Sequence, residues 1–436
     1  MTMTNVDQKQ AEELLRAKDF SGALPIFENL WANEATRDEW IGWNLARSLR
    51  GLQRSADALD VCREVYRLKP DFRHNKELYA WCIYDLHVKK PSHNEQEFFR
   101  AVNGMVGLAE PGQLPHTMAV FAALKHLKTD DDGEAQLANP NEVLQWVKKL
   151  TPDLLSCVSK PGQDGRPFPS DYERYASARS KALLELRRAE DVLTCCAEAQ
   201  AKLGETAAFG VWFKWREGKA LAILGRNEEA AMAFGQVLAV KRDWFVHQAL
   251  AESLKDLARS EQALYHAAQA ALGRAPIPFK WKLYVLLADI LRQQDQLDLA
   301  RLHVQLAYSV RVDEGWKESK DLAALLAALT YQPKQDGVDV RQVERKLQLF
   351  WKSIAPVIET THSGLIKQIH ANGKSGVVIA TTGATYFFGM KNVVQGGDSI
   401  QVDQQVRFNL KSVVNHRTQQ QEDQAVDILS VSEESR

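Results

Sequence analysis

Six basic side chains, Lys367, Lys374, Lys391, Arg407, Lys411 and Arg417, fall within residues 362–418 against only Asp398 and Asp403, a local net charge of +4. Residues 419–436 reverse the sign: Glu422, Asp423, Asp427, Glu433 and Glu434 stand against Arg436, a net −4. A basic stretch of this kind suits phosphate binding, with an acidic end able to screen it. Other reactive residue types are dispersed. The cysteines Cys62, Cys82, Cys157, Cys195 and Cys196 form no C-x-x-C pair and lie near no His at metal-ligand spacing. They read as small helix-packing residues in a reducing cytosol, including the adjacent Cys195–Cys196. Asp130–Asp132, in the acidic run 129–134, lack the spaced ligands and distal Glu of a calcium loop, which makes that run a solvated turn. His247, His266 and His303 fall on helical segments and read as groove or surface residues. No phosphate-cradling Gly-rich loop, nucleophile elbow, H-E-x-x-H or paired-Cys zinc motif occurs. The expectation is a protein that is not an enzyme, with no catalytic residue, no metal and no cofactor.

The elements that carry these residues divide by composition. The chain has 436 residues, 55 Lys+Arg against 56 Asp+Glu, 45% hydrophobic and 25% charged. That is an ordinary globular composition, and at ~100–200 residues per domain it implies two to four units. No run approaches the ~18 apolar residues of a membrane span, and the polar start at Met1–Gln10 lacks the apolar core of a secretory signal. A cytoplasmic protein with no membrane contact is expected. Residues 5–358 are rich in Ala, Leu, Glu, Arg, Lys and Gln with apolar residues at helical spacing. From about 362 the chain is rich in Val, Ile, Thr, Phe and Gly in strand-length runs. Five short strands are expected at Gly364–Ile369, Lys374–Ile379, Thr385–Phe388, Gln405–Leu410 and Gln424–Ile428, with a turn at Asn372-Gly373. Over residues 362–431 they suit a small OB-type barrel.

The helical part repeats. Ala23, Phe27 and Leu30 are followed 35 residues later by Ala58, Cys62 and Val65. Ala230, Phe234 and Val237 recur as Ala263, Ala267 and Ala270, 33 residues on, and as Ala300, Val304 and Ala307 after 37 more. Small residues at fixed offsets let antiparallel helices approach, and a period near ~34 with this pattern resembles the tetratricopeptide repeat. Turns are expected at Lys18–Gly22 and Leu224–Asn227. Regular repeats span about 6–70 and 205–315. The middle, 74–200, reads as irregular helices: Asn75–Val88, Glu95–Leu108, Pro115–Leu127, Asn141–Leu150 and a long one from about Asp171 into the 190s, with a Pro/Gly-rich loop at Lys160–Ser170. A capping or linking helix is expected at about 338–358, with Trp351. The resemblance implies a mainly α solenoid whose first helices line a concave groove for a protein partner. Trp40, Trp43, Trp212, Trp215, Trp244, Trp281 and Trp316, near first-helix starts, then read as packing residues. Asn44 falls where carboxylate-clamp members keep an Asn, but the accompanying lysines are missing, so the clamp itself is not expected. Arg47, Lys214 and Arg216 are the remaining groove candidates.

The order of the β segments resembles the cold-shock domain over about 70 of the 436 residues. The matches are Gly364/Ile366/Lys367, Lys374/Gly376/Val377/Val378, Phe387/Phe388, Gln405/Val406/Phe408 and Ala425/Val426/Ile428. The resemblance implies binding of single-stranded RNA or DNA by aromatic stacking over a basic face. It makes Phe387 the stacking platform, helped by Tyr386 or His370, and makes Lys367, Lys374, Arg407 and Lys411 phosphate anchors. The departures are specific: Gln368, Ser375 and Val377 stand where the family keeps aromatics, and Gly389 stands where it keeps a His. Two functions from different classes follow. One is a non-enzymatic adaptor holding a protein in the groove and a single strand on the barrel. The other is a pure protein-interaction scaffold or regulatory subunit, for instance of a bacterial stress or antiviral system, whose barrel no longer binds nucleic acid.

Overall fold

A computed structural model of the chain describes residues 3–90, 94–127, 137, 139–162, 167–204, 209–317, 319–333, 339–354, 362–394, 400–414 and 421–430. It separates into two units, Met1–Lys334 and Gln335–Arg436. The first is a tetratricopeptide-like solenoid of helices packed in antiparallel pairs. Regular pairs are α1/α2 (Met3–Arg16, Phe20–Ala32) and α3/α4 (Glu39–Gly51, Ser55–Leu68). The middle holds α5 (Arg73–Ile83), α6 (Glu95–Leu108), α7 (Leu114–His126) and α8 (Pro140–Val147). Pairing resumes with α9/α10 (Asp171–Glu185, Ala189–Leu203), α11/α12 (Gly210–Ile223, Asn227–Val240), α13/α14 (Trp244–Asp256, Ser260–Leu272) and α15/α16 (Trp281–Gln293, Leu297–Asp313), then α17 (Lys320–Ala328).

The small-residue pattern does what its spacing requires. Ala23, Ala58, Ala230, Ala263 and Ala300, with their followers Phe27, Cys62, Phe234, Ala267 and Val304, are all fully buried. Two glycines mark close approaches: a Cβ on Gly42 would lie 2.3 Å from Val65, and one on Gly218 2.6 Å from the Phe234 ring. One turn joins the helices of six pairs. Its central residue, Lys18, Gln53, Arg187, Gly225, Ala258 or Asp295, has positive φ. The following N–H (Asp19, Arg54, Arg188, Arg226, Arg259, Gln296) donates back to the carbonyl of Leu14, Leu49, Leu183, Leu221, Leu254 or Leu291 at 2.9–3.0 Å. This six-to-one bond satisfies a carbonyl that the ending helix would otherwise leave open. First helices also approach their counterparts in neighbouring pairs (α1 with α3, α3 with α5, α9 with α11, α13 with α15, α15 with α17). Second helices do so less closely, which makes the first-helix layer the inner one.

Two elements differ from expectation. The long helix expected from Asp171 breaks at Arg187, because Leu186-Arg187-Arg188 adopts the recurrent turn without a Gly to mark it. The helix expected over Asn75–Val88 is α-helical only to Ile83; Tyr84–Val88 continues as a π-helical turn. The acidic run 129–134 lies outside the described residues, as do Arg417, Asp398, Glu433 and Glu434. Among the described residues no helix is long and apolar enough to cross a membrane.

The second unit holds α18 (Val340–Ser353) and a closed five-stranded barrel: β1 (His362–Ile369), β2 (Ser375–Ala380), β3 (Thr385–Gly389), β4 (Gln405–Val414) and β5 (Gln421–Ser430). The helix expected to cap or link the solenoid thus falls within this unit. Strand order is β1-β2-β3-β5-β4, closing back on β1. Every pairing is antiparallel except β3 with β5. Period-two alternation fills the interior with Ile366, Val378, Phe388, Val406, Phe408, Ala425 and Ile428, all essentially inaccessible. Gly376 keeps the wall thin where a Cβ would lie 2.6 Å from the Gln368 carbonyl and from the Phe388 ring.

Candidate functional site

The barrel's register builds a row across its outer wall. Gln368 of β1 faces Val377 of β2, which faces Phe387 of β3. Phe387 pairs with Gln424 of β5, and Gln424 with Lys411 of β4. Phe387 is 43% exposed, large for a ring on a strand. The His370 ring stacks against it at 6.0 Å between centroids and 29° between planes, and His370 Nδ1 lies 2.9 Å from Ser375 Oγ. Lys367 is exposed beside this row, where a bulge between Ile366 and Gln368 shifts the register. Lys374 is exposed in the β1–β2 turn, its N–H donating to Asn372 Oδ1 at 2.9 Å and its carbonyl accepting from the Met390 N–H at 2.9 Å.

The fold thus gathers Phe387, His370, Lys367 and Lys411, with Lys374 at the adjoining turn, and separates the other two candidates. Tyr386 follows the opposite phase of β3, tilts against Phe408 at 6.1 Å and packs on the barrel core. It is not a companion platform on the Phe387 face. Arg407 is exposed but pairs with Ser363, five residues back along β1 from Gln368, or about 17 Å at ~3.3 Å per residue. There it edges a separate recess of about 550 Å³ with Leu365 and Thr381. Val377, which stands where the cold-shock family keeps an aromatic, and Gln424, which the sequence did not single out, complete the row. Glu422 and Asp423, on β5 just before Gln424, bring negative charge close to Lys411.

The solenoid candidates also separate. Asn44 is buried on α3, and its Oδ1 accepts from Arg47 Nη1 at 3.2 Å. The Arg47 guanidinium lies 4.5 Å from the Trp43 ring centre, and burial pulls its pKa below the ordinary value. Together with Arg50, His74, Trp81 and Asp85 they line a groove of about 420 Å³. Arg50 Nε is 2.7 Å from Asp85 Oδ2, and Asp85 is carried by the π-helical turn. Lys214 is paired at 2.8 Å with Glu217 one turn away. Arg216 is not a groove cation: it is 2% exposed between α9 and α11, donating from Nη1 to Ser177 Oγ at 3.2 Å and Ser180 Oγ at 3.4 Å.

A larger first-helix groove, about 560 Å³, runs over α13, α15 and α17. Trp281 forms part of its wall, and Asp289 sits between Lys255 Nζ at 2.9 Å and Arg292 Nη2 at 2.8 Å. Burial acts to raise the Asp289 carboxyl, but hydrogen bonds from Lys255 and Arg292 outweigh it and hold its pKa below the usual range. Glu252 and Asp321 add acids to the same lining, whose charges are of matched signs and whose other half is apolar, with Val285, Leu286 and Leu325. The D-x-x-R spacing of Asp289 and Arg292 was the one available sequence signal.

The remaining reactive groups are structural. Burial lowers His247 and brings His266 down to about 4, and their Nδ1 atoms meet at 3.0 Å. Burial also takes His303 to about 4, its Nδ1 on the Leu299 carbonyl at 2.7 Å. Burial pushes Cys195 up to about 11 and Cys196 to about 12, far from a reactive thiolate at neutral pH. Among the described residues no three His, Cys, Asp or Glu side chains gather as metal ligands.

Comparison with known proteins adds one family match, to a domain of unknown function (DUF7017), over residues 211–348. That span runs from α11 into α18 and includes the larger groove. No curated protein matches the chain. Among solved structures, a tetratricopeptide repeat protein from Parabacteroides merdae is 12% identical, with 75% of this chain and 98% of that one covered and a TM-score of 0.29. The thermophilic TPR protein TTC0263 of Thermus thermophilus is 15% identical, covering 58% of this chain and 99% of its own, at a TM-score of 0.24. The Cut9–Hcn1 assembly of the APC/C is 14% identical, covering 73% and 61%, at 0.31. These scores are low, and the tetratricopeptide-like character of the solenoid rests on its six recurrent turns and its helix pairing.

Proposed function

We propose that the chain is a non-catalytic, cytoplasmic adaptor whose inner helix layer holds a protein partner and whose barrel holds single-stranded nucleic acid. The observation that carries the second half is Phe387. An aromatic ring is left 43% exposed on a barrel wall, with the His370 ring stacked on it, Lys411 on the same row and Lys367 beside it. An exposed π-face flanked by cations accepts any base and attracts its phosphates. The partner-binding half is supported by the grooves of the inner layer, where Trp43, Arg47 and Trp281 offer aromatic and cationic contacts. The buried, unpaired thiols Cys62, Cys82, Cys195 and Cys196 suit a reducing compartment.

Titration of the full chain with labelled single-stranded RNA and DNA at low and moderate salt tests the barrel assignment. Phe387→Ala is expected to weaken binding about 10-fold, because one stacked base contributes ~1–3 kcal/mol. Equal affinity of wild type and variant would remove Phe387 from the role. The second reading, a scaffold whose barrel only docks on protein, is favoured by Gln368, Ser375 and Val377, which leave the row with one aromatic strand position. Absence of binding by wild type at low salt would establish that reading in its place.

A further inference from the structure

A basic face without ion pairs among the described residues lies on α18. This helix carries Arg341, Arg345, Lys346 and Lys352 against Glu344 alone, a net +3 in 14 residues. All four cations are exposed, and none has an ion-pair partner among the described residues. The neighbouring Asp339 is occupied otherwise: its Oδ1 accepts from the backbone N–H groups of Arg341 and Gln342 and caps the helix. At 3.6 residues per turn, Arg341, Arg345 and Lys352 share one face, extending about 17 Å along the axis. Leu347 and Trp351 are buried, 1% and 0% exposed, and Leu349 stands 74% exposed beside the cations. Elsewhere, exposed Arg and Lys side chains such as Arg54, Arg188, Arg226 and Lys202 stand beside carboxylates.

We infer that the Arg341–Arg345–Lys352 stripe is the main phosphate-binding surface of the second unit and takes the backbone of a single-stranded nucleic acid. The inference rests on the nucleic-acid reading of the barrel and adds to it a site on a different element. An anionic membrane would need a broad apolar face beside the cations, and α18 offers it one large exposed apolar side chain, Leu349, while Leu347 and Trp351 are buried in the protein. A polyanionic strand needs only the exposed charges, and the barrel in the same compact unit offers the Phe387 face. Three phosphate contacts to a single strand release counterions with a slope of about 0.7 each in log K against log salt.

The experiment measures affinity of the full chain for a labelled 12-nucleotide strand from about 50 to 200 mM salt. It compares wild type, Phe387→Ala, the triple variant Arg341→Gln/Arg345→Gln/Lys352→Gln, and Arg341→Lys/Arg345→Lys. The triple variant is expected to flatten the salt slope by about 2, so that over this fourfold salt range wild type loses about 20-fold more affinity than the variant does. The lysine variant keeps the charge and is expected to keep the slope, which separates loss of phosphate contacts from loss of structure. Phe387→Ala is expected to weaken binding with little change in slope. A triple variant with the wild-type slope, while Phe387→Ala weakens binding, would overturn the stripe and leave the barrel reading standing. Loss of slope in the triple variant with no effect of Phe387→Ala would support the stripe and remove the barrel. A wild type that ignores both strands overturns both, and its capture by phosphatidylserine vesicles would reassign the stripe to a membrane.

Discussion

Replacing Lys280 by Met should loosen the solenoid where α14 meets α15. Lys280 is 3% exposed, and its Nζ donates to the carbonyls of Ala271 at 2.8 Å and Gly273 at 2.6 Å. Those carbonyls end α14, where the helix dipole places partial negative charge. A charge-assisted hydrogen bond contributes ~1.5–3 kcal/mol, so two bonds are worth ~3–6 kcal/mol before the cost of burying the ammonium is subtracted. Methionine fills the same volume and needs no desolvation, which returns part of the loss. The net expectation is a destabilisation of about 3 kcal/mol, or a fall of about 6 °C in Tm at ~2 °C per kcal/mol for a unit of this size. Lys280 immediately precedes Trp281, so the variant should also raise hydrogen-exchange rates at the start of α15 and in the groove that Trp281 lines. Urea denaturation followed by circular dichroism, with exchange read by mass spectrometry, checks both effects. A variant within 0.5 kcal/mol of wild type, with unchanged exchange in α15, would refute the view that this buried lysine staples the two pairs.

Two further outcomes follow from the same physical accounting. Ala258 holds φ 58° in the recurrent turn. An L-residue there costs ~1–2 kcal/mol and a Gly loses ~0.5–1 kcal/mol of backbone entropy, so Ala258→Gly should stabilise by about 0.5–1 kcal/mol and Ala258→Val should destabilise, both read from urea midpoints. His266 and His303 are depressed by burial to about 4 from an ordinary 6.5, so the unfolded chain binds their protons first as pH falls. Their contribution is therefore complete above about pH 6.5 and is lost progressively down to about pH 4. Each is worth up to ~3 kcal/mol by linkage, and His303→Gln should flatten the stability–pH curve over that window.

How far the sequence revealed this architecture depended on which physical signal each element carried. Helix pairing was legible because close approach demands a small residue: Ala23, Ala58, Ala230, Ala263 and Ala300 announce themselves at fixed offsets and are all buried. The break at Arg187 was not legible, because the left-handed turn is enforced by helix packing and its back-bond rather than by a glycine. Only Gly225 of the six turn residues advertises its conformation by type. The barrel strands were legible from alternation. That same alternation places Tyr386 inside and Phe387 outside, so adjacency in sequence, which had suggested Tyr386 as a partner for Phe387, was the wrong measure of proximity. Arg216 shows the converse limit. A cation on a first helix looked like groove chemistry, yet its position on α11 turns it toward Ser177 and Ser180 of α9. Which face a helix residue occupies follows from its neighbours in space, and no local pattern supplies those.

The chain's charge distribution carries the same lesson into function. A formal net charge of −1 over 436 residues gives no electrostatic reason to bind nucleic acid. Attraction is set within a Debye length, ~8–10 Å at physiological salt, so only charges grouped on one surface act together. In the solenoid, cations are largely cancelled within that distance, as Lys255 and Arg292 are by Asp289 and Arg50 is by Asp85. On the barrel, Lys367 and Lys411 flank one stacking ring, and Glu422 and Asp423 sit close to the second lysine. One platform worth ~1–3 kcal/mol and two partly screened cations make a weak site by themselves. The proposed cationic stripe on α18, with Glu344 its one acid on that helix, would supply the net attraction that site lacks. On the proposed reading, a weak stacking site and a charged stripe on the same strand would bind as a linked pair, each raising the effective concentration of the other.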